Sequence, residues 1–371
     1  MAYGTVLADQ IQSSVSGVSL GAGNASIMKN RIINGAMVID QRNAGASVTP
    51  SADPTYTLDR WVFQLSQVSK FSVQQNAGSV TPPAGFANYL GITVGASANV
   101  TVGATDYFLV QQKIEGYNVA DLGFGTANAK TVTLSFWVRS SLTGTFGGSL
   151  RNSAENRSYP FSYTISAANT WEQKSITIAG DTSGTWLTTN GIGLEVALSL
   201  GVGSTYSGTA GTWAGTNYAN ATGSVNLITT NSATFYITGV QLEVGSSATG
   251  YEYRQYGQEL ALCQRYYAKI QDPVARGVTT GGAGGGASRL ALVFPVTMRV
   301  TPTFGFNGTF GFWNGTATRT STGGFNVFGY GTNQYDFDAD LNSAFPAGGD
   351  ACCMYSQTAN PPPWISLSSE L

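Results

Sequence analysis

Histidine is absent from the chain, and charge is scarce: 18 Lys and Arg stand beside 20 Asp and Glu in 371 residues. That is 10% charged, where about 25% is usual. Without imidazole there is no Ser-His-Asp triad, no Cys-His dyad, no histidine metal site and no imidazole general base. A net charge of -2 supplies no basic field to grip a phosphate backbone, so nucleic acid is not an expected partner. No apolar run reaches the roughly 18 residues of a membrane span. MAYGTVLADQIQSSV lacks the basic and apolar regions of a secretory signal. The three cysteines, Cys263, Cys352 and Cys353, have no framework spacing. They read as reduced thiols of a protein folded in a cytoplasm.

What the chain does have is 47 glycines, abundant Ser, Thr and Asn, and 42% hydrophobic residues, enough for real cores. At roughly 150 residues per domain the length predicts two or three domains. Residues 1–30 carry few large apolar side chains and read as an extended arm ordered by a partner, or else as a loose terminus. From 31 to 250 the period is two. Val132, Leu134, Phe136 and Val138 alternate with Thr133, Ser135, Trp137 and Arg139, and Leu194, Val196, Leu198 and Leu200 alternate with Glu195, Ala197 and Ser199. Gly-rich turns, such as Gly180–Gly184, separate these runs, which predicts a two-sheet β-sandwich. The period then changes: Tyr256, Leu260, Cys263, Tyr267 and Ile270 recur at three and four, predicting one helix from Tyr256 to Ile270 that ends before Pro273. Gly277–Gly286 reads as a loop. It lacks the G-K-[ST] ending of a phosphate loop. Strand patterns resume at Arg289, so 251–371 is expected to be one helix plus a small antiparallel β-sheet domain.

Several stretches together resemble a known family. MKNRIINGAMVIDQRN (28–43) with YTLDRW (56–61), LSFWVRSS (134–141), FYITGVQLEVGSSATGYEYRQYGQELALCQRYY (235–267), FPVTMRVTPT (294–303) and ISLSSEL (365–371) are similar to blocks of bacteriophage tail fibre and virion structural proteins. Those proteins carry a carbohydrate-binding-module-like jelly roll. The resemblance implies a mainly β virion appendage, usually a homotrimer, assembled in the host bacterial cytoplasm. Its N-terminal arm would join another virion protein, with Tyr3, Val6, Leu7 and Ile11 as candidate attachment residues. Its sandwich would meet host polysaccharide or lipopolysaccharide. No catalytic set comes with the resemblance.

Trp137 and Arg139 share the polar face of their strand. If Glu195 belongs to the same sheet, the three line one concave face where a sugar stacks on the ring and pairs at the rim. The alternative is that Trp137 packs under a loop. Trp186, Tyr206, Trp213 and Tyr218 lie in Gly, Thr and Asn-rich loops, the composition of many binding loops, and would otherwise pin those loops to the domain. Asp336, Asp338 and Asp340 fail the EF-hand pattern, since Leu341 and Ala347 stand where Gly and Glu are needed. Their spacing of two gives one solvated strand face. No metal site or cofactor is spelled out, although a structural calcium ion fits jelly rolls of this type. Two carboxylates alone can cleave a glycan, yet no pair stands out and no β-helix repeat is present. The functional readings are therefore a glycan-binding tail fibre, a non-binding structural virion component, and, third, a polysaccharide depolymerase.

Overall fold

The computed structural model describes residues 29–273, 275–280, 287–342, 349–356 and 362–371. Tyr3, Val6, Leu7 and Ile11 lie outside the described residues. The chain divides into two units, one ending at Gln255 and one beginning at Tyr256.

The first unit contains β1 (Thr55–Tyr56), β2 (Val62–Leu65), β3 (Phe71–Gln75), β4 (Leu90–Val94), β5 (Tyr107–Glu115), β6 (Val132–Ser140) and β7 (Gly144–Arg151). It continues with β8 (Ser158–Ile165), β9 (Glu172–Ile178), β10 (Ile192–Val202), β11 (Ser207–Gly208), β12 (Asn220–Ala221) and β13 (Thr234–Val244). One sheet has the order β1-β2-β5-β10-β7-β8 and the other β3-β4-β13-β6-β9. The chain crosses between them after β2, β4, β5, β6, β8 and β9 and, by way of β11 and β12, after β10, with antiparallel pairing throughout both sheets. This is a jelly-roll β-sandwich.

The period-two reading explains the core. Val132, Leu134, Phe136 and Val138 of β6 face Leu194, Val196, Leu198 and Leu200 of β10 across the interior, all at 2% exposure or less. Each such side chain contributes about 1.5–3 kcal/mol by leaving water. The motif at 28–43 turns out to be a polar lock. Asn30 donates to the Val240 carbonyl at 3.0 Å, and its Oδ1 accepts the amides of Ile32 and Leu242. Buried Asp59 accepts both the Gln41 amide (2.7 Å) and the Gln41 side chain (2.6 Å), and Trp61 Nε1 donates to the Asn34 carbonyl. A bulge in β13 admits this segment. There Gly239 sits at φ 62, a conformation that favours glycine.

The second unit contains α1 (Tyr256–Gln264), β14 (Tyr267–Gln271), β15 (Ala275–Thr280), β16 (Ala287–Val293), β17 (Thr303–Asn307), β18 (Phe310–Trp313), β19 (Thr318–Tyr330), β20 (Gln334–Leu341), β21 (Ala351–Ser356) and β22 (Trp364–Ser368). Strands β14, β22 and β17 form a three-stranded sheet, and β15-β16-β20-β19-β18-β21 close into a barrel around Leu290, Phe312, Phe337 and Met354. Closure leaves the six-stranded sheet without an edge strand. Tyr335, Phe337, Ala339 and Leu341 point inward, which leaves Asp336, Asp338 and Asp340 on the outer face, with Asp338 paired to Arg289 at 3.2 Å.

Two sequence expectations are corrected. The helix stops at Gln264 rather than Ile270, and Tyr267–Gln271 is a strand. The Arg265 carbonyl accepts the Arg299 amide, the Tyr266 carbonyl accepts that of Ser369, and β14 zips onto β22, so tertiary pairing outcompetes the helical period. Likewise Gly277–Thr280 belongs to β15, paired to both β16 and β21; the rest of the expected loop, 281–286, is outside the described residues. Gly277 is required there because a Cβ would collide with the Arg289 carbonyl oxygen.

Candidate functional site

On the outer face of the six-stranded sheet the segment 203–226 folds back over β5, β10 and β7. It is pinned by the parallel pair β11–β12 and by bonds from Val225 N to the Thr145 carbonyl (2.7 Å) and Ala214 N to the Ser158 carbonyl (2.8 Å). Where it stops short, a small open cleft of about 180 Å³ forms, lined by Gln64, Tyr107, Arg151, Glu155, Tyr206 and Asn217.

Its walls are aromatic. The rings of Tyr107 and Tyr206 stand 6.0 Å apart at 85°. Tyr107 OH donates to Asp53 Oδ2 at 2.8 Å. Burial first, and the Asp53 bond second, push this phenol up to about 12, so it remains a donor at any physiological pH.

Its floor is a buried ion network. Arg151, 2% exposed, meets Glu195 at 2.9 Å and Glu155 at 3.3 Å. It also donates to Asn217 Oδ1 at 2.9 Å and Gln111 Oε1 at 3.1 Å, and Asn217 Nδ2 donates to Glu155 at 2.6 Å. Burial holds the Glu195 carboxyl above the ordinary range, against the pull of Arg151 and Lys113. Buried polar atoms without a hydrogen-bond partner gather on the same strands: Gln111 Nε2, Ser149 Oγ and Ser199 Oγ. Such groups are costly unless water or a ligand meets them. Arg151 and, from the neighbouring strand, Lys113 offset Glu195 and Glu155, so the fixed charges of the floor are paired among themselves. Hydroxyls and amides are matched here.

Of the residues singled out from sequence, Tyr206 lines this cleft and Glu195 lies beneath it. The concave face of Trp137, Arg139 and Glu195 does not exist: β6 pairs with β13 and β9, whereas β10 pairs with β5 and β7 in the other sheet. Half-buried Trp137 sits between Thr238 and Gln173, and Arg139 lies 5.3 Å over the Tyr236 ring while donating to the Asn169 carbonyl. Trp186 and Trp213 form an edge-on cluster with Phe124 and Tyr159. Their indole N–H groups donate to the carbonyls of Ser183 and Ala179, so both pin loops to the core. Tyr218 packs over Gly208. Gln64, Tyr107, Arg151, Glu155 and Asn217 were missed. A charged residue at Glu195, inside an otherwise apolar and small-residue strand, was the signal that a buried counter-charge had to exist.

No family model matches the chain, and no curated protein matches its sequence. Among solved structures, the enzymatically active domain of tailspike protein 4 of bacteriophage CBA120 is 13% identical with a TM-score of 0.32, over 58% of this chain and 21% of that chain. A CBM4 structure is 14% identical with a TM-score of 0.27, over 57% of this chain and 97% of its own. The family 11 carbohydrate-binding module from Clostridium thermocellum in complex with a β-1,3-1,4-mixed-linked tetrasaccharide is 12% identical with a TM-score of 0.27, over 54% of this chain and 100% of its own. No helix among the described residues is long and apolar enough to cross a membrane.

Proposed function

We propose that the protein is a virion appendage component, a homotrimeric tail fibre, that attaches to glycan on the host surface through the cleft over β2, β5 and β7. The motif resemblance supports the phage setting, with an N-terminal arm joining another virion protein. The observation that carries the binding reading is the perpendicular Tyr107–Tyr206 pair beside the Arg151–Glu155–Asn217 network. The rings offer faces to sugar C–H groups, and the fixed polar atoms offer partners to hydroxyls. With its fixed charges paired among themselves, the cleft suits neutral sugars.

The cleft binds without cutting. Both carboxylates of the floor are engaged by Arg151, and Glu195 is only 2% exposed, so neither is placed to donate a proton to a glycosidic oxygen. The test is a screen of purified protein against neutral and acidic host polysaccharides, with lipopolysaccharide competing for cell binding and with reducing ends assayed. Saturable binding to a neutral glycan with no reducing ends released is expected. No binding at micromolar protein would overturn the attachment reading, and release of reducing ends would overturn the non-catalytic one.

A further inference from the structure

The barrel presents a second surface that differs from the cleft in both charge and construction. Register places Trp313 of β18 beside Cys353 of β21, and Cys353 beside Arg276 of β15, so the three form one row across the outer wall. Trp313 is 49% exposed, although its β18 neighbours Phe310 and Phe312 are fully buried. Arg276 is exposed and makes no ion pair among the described residues, unlike Arg289, which Asp338 holds. Together with Asn314, Gly315 and Cys353 they line an open depression of about 330 Å³. Behind Trp313 the turn is stiff: Asn314 Oδ1 accepts the amides of Thr316 and Ala317, and its Nδ2 donates to Asp350 at 3.1 Å, which engages that carboxylate.

We propose that this surface binds a carboxylate-bearing saccharide, a uronic acid residue of an anionic glycan, independently of the cleft. An indole face left in water at the end of β18 suits the apolar face of a pyranose. Adjacent strands lie about 4.8 Å apart, so with one strand between them Trp313 and Arg276 are separated by about 10 Å. A sugar ring on the indole therefore carries its exocyclic carboxylate toward the guanidinium, whose planar fork donates two hydrogen bonds to it. Cys353 lies under the middle of that span. It is half-buried, whereas Cys263 and Cys352 are buried, so it is the thiol best placed to report occupancy.

The experiment is calorimetric titration of the full chain with trigalacturonate and with its methyl ester, on wild type, Trp313→Ala, Arg276→Ala, Arg276→Lys and Tyr206→Ala. Thermal unfolding serves as the control for folding. Iodoacetamide labelling of Cys353 with and without the trimer is followed by mass spectrometry. The expected result is binding of trigalacturonate that weakens about tenfold or more for the methyl ester, Trp313→Ala and Arg276→Ala, corresponding to about 1.4 kcal/mol. Arg276→Lys should lose less, Tyr206→Ala should be unchanged, and bound trimer should slow Cys353 labelling. No binding at millimolar trimer, equal binding by Trp313→Ala and Arg276→Ala, or a loss confined to Tyr206→Ala would each overturn the proposal.

Discussion

The sandwich cleft and the barrel wall both combine an aromatic ring with an arginine, yet they are built in opposite ways. In the cleft the arginine is buried. Arg151 is neutralised by Glu195 and Glu155 and serves to hold Asn217 and Glu155 in place, while the rings come from a strand end and a folded-back loop. On the barrel the arginine is exposed, and ring, thiol and guanidinium are spaced by the sheet ladder alone. A buried cation is a scaffold for neighbouring groups; an exposed one is a contact in itself. The same two residue types therefore underlie the neutral-sugar cleft proposed for one unit and the anion-accepting wall proposed for the other.

The contrast can be broken most forcefully at Arg151. Arg151→Ala leaves Glu195 buried without its counter-charge and should cost about 3–5 kcal/mol. Calorimetry should then show the sandwich transition falling while the barrel transition stays; equal falls in both would deny that the two units are separately stabilised. Phe337→Ala, which opens a cavity in the barrel core, should cost about 3–5 kcal/mol and lower only the other transition. By comparison Arg276→Ala should leave both melting temperatures unchanged, since that side chain is exposed and makes no ion pair among the described residues.

A smaller effect sharpens the comparison through pH. Burial holds Glu195 above the ordinary carboxyl range, so the folded sandwich binds that proton more tightly than the unfolded chain does. Its contribution to stability is present below the ordinary carboxyl value and is lost as pH rises through the raised one. Wild type should show this decline from about pH 4 upward, and Glu195→Gln should flatten it in melting-temperature profiles. An identical slope in the variant would assign the decline to another group.

The sandwich was largely legible in the sequence because both faces of its strands obey period two, as in Val132 to Val138 and Leu194 to Leu200. The motifs at 28–43 and 56–61 were legible too, although their physical role is a buried lock around Asn30, Asn34 and Asp59 rather than contact with a ligand. Sequence could not say which strands share a sheet. Alternate strands cross the sandwich, so Trp137 and Glu195, both correctly placed on polar faces, ended on different sheets. Nor could it end the helix, because the carbonyls of Arg265 and Tyr266 are captured by Arg299 and Ser369, residues distant in sequence. The loop aromatics divide for a similar reason. Trp186 and Trp213 find backbone acceptors and each other, and Tyr206 is left facing Tyr107 at the cleft.

The central claim is that recognition of host glycan lies over β5 and β7 and not on the sheet that carries Trp137. Binding of fluorescently labelled protein to host cells, measured side by side for wild type, Tyr206→Ala and Trp137→Ala, tests it directly. Tyr206→Ala should weaken binding by about 1–2 kcal/mol, roughly five- to thirtyfold, and Trp137→Ala should bind as wild type does. Loss in Trp137→Ala with full binding by Tyr206→Ala would contradict it.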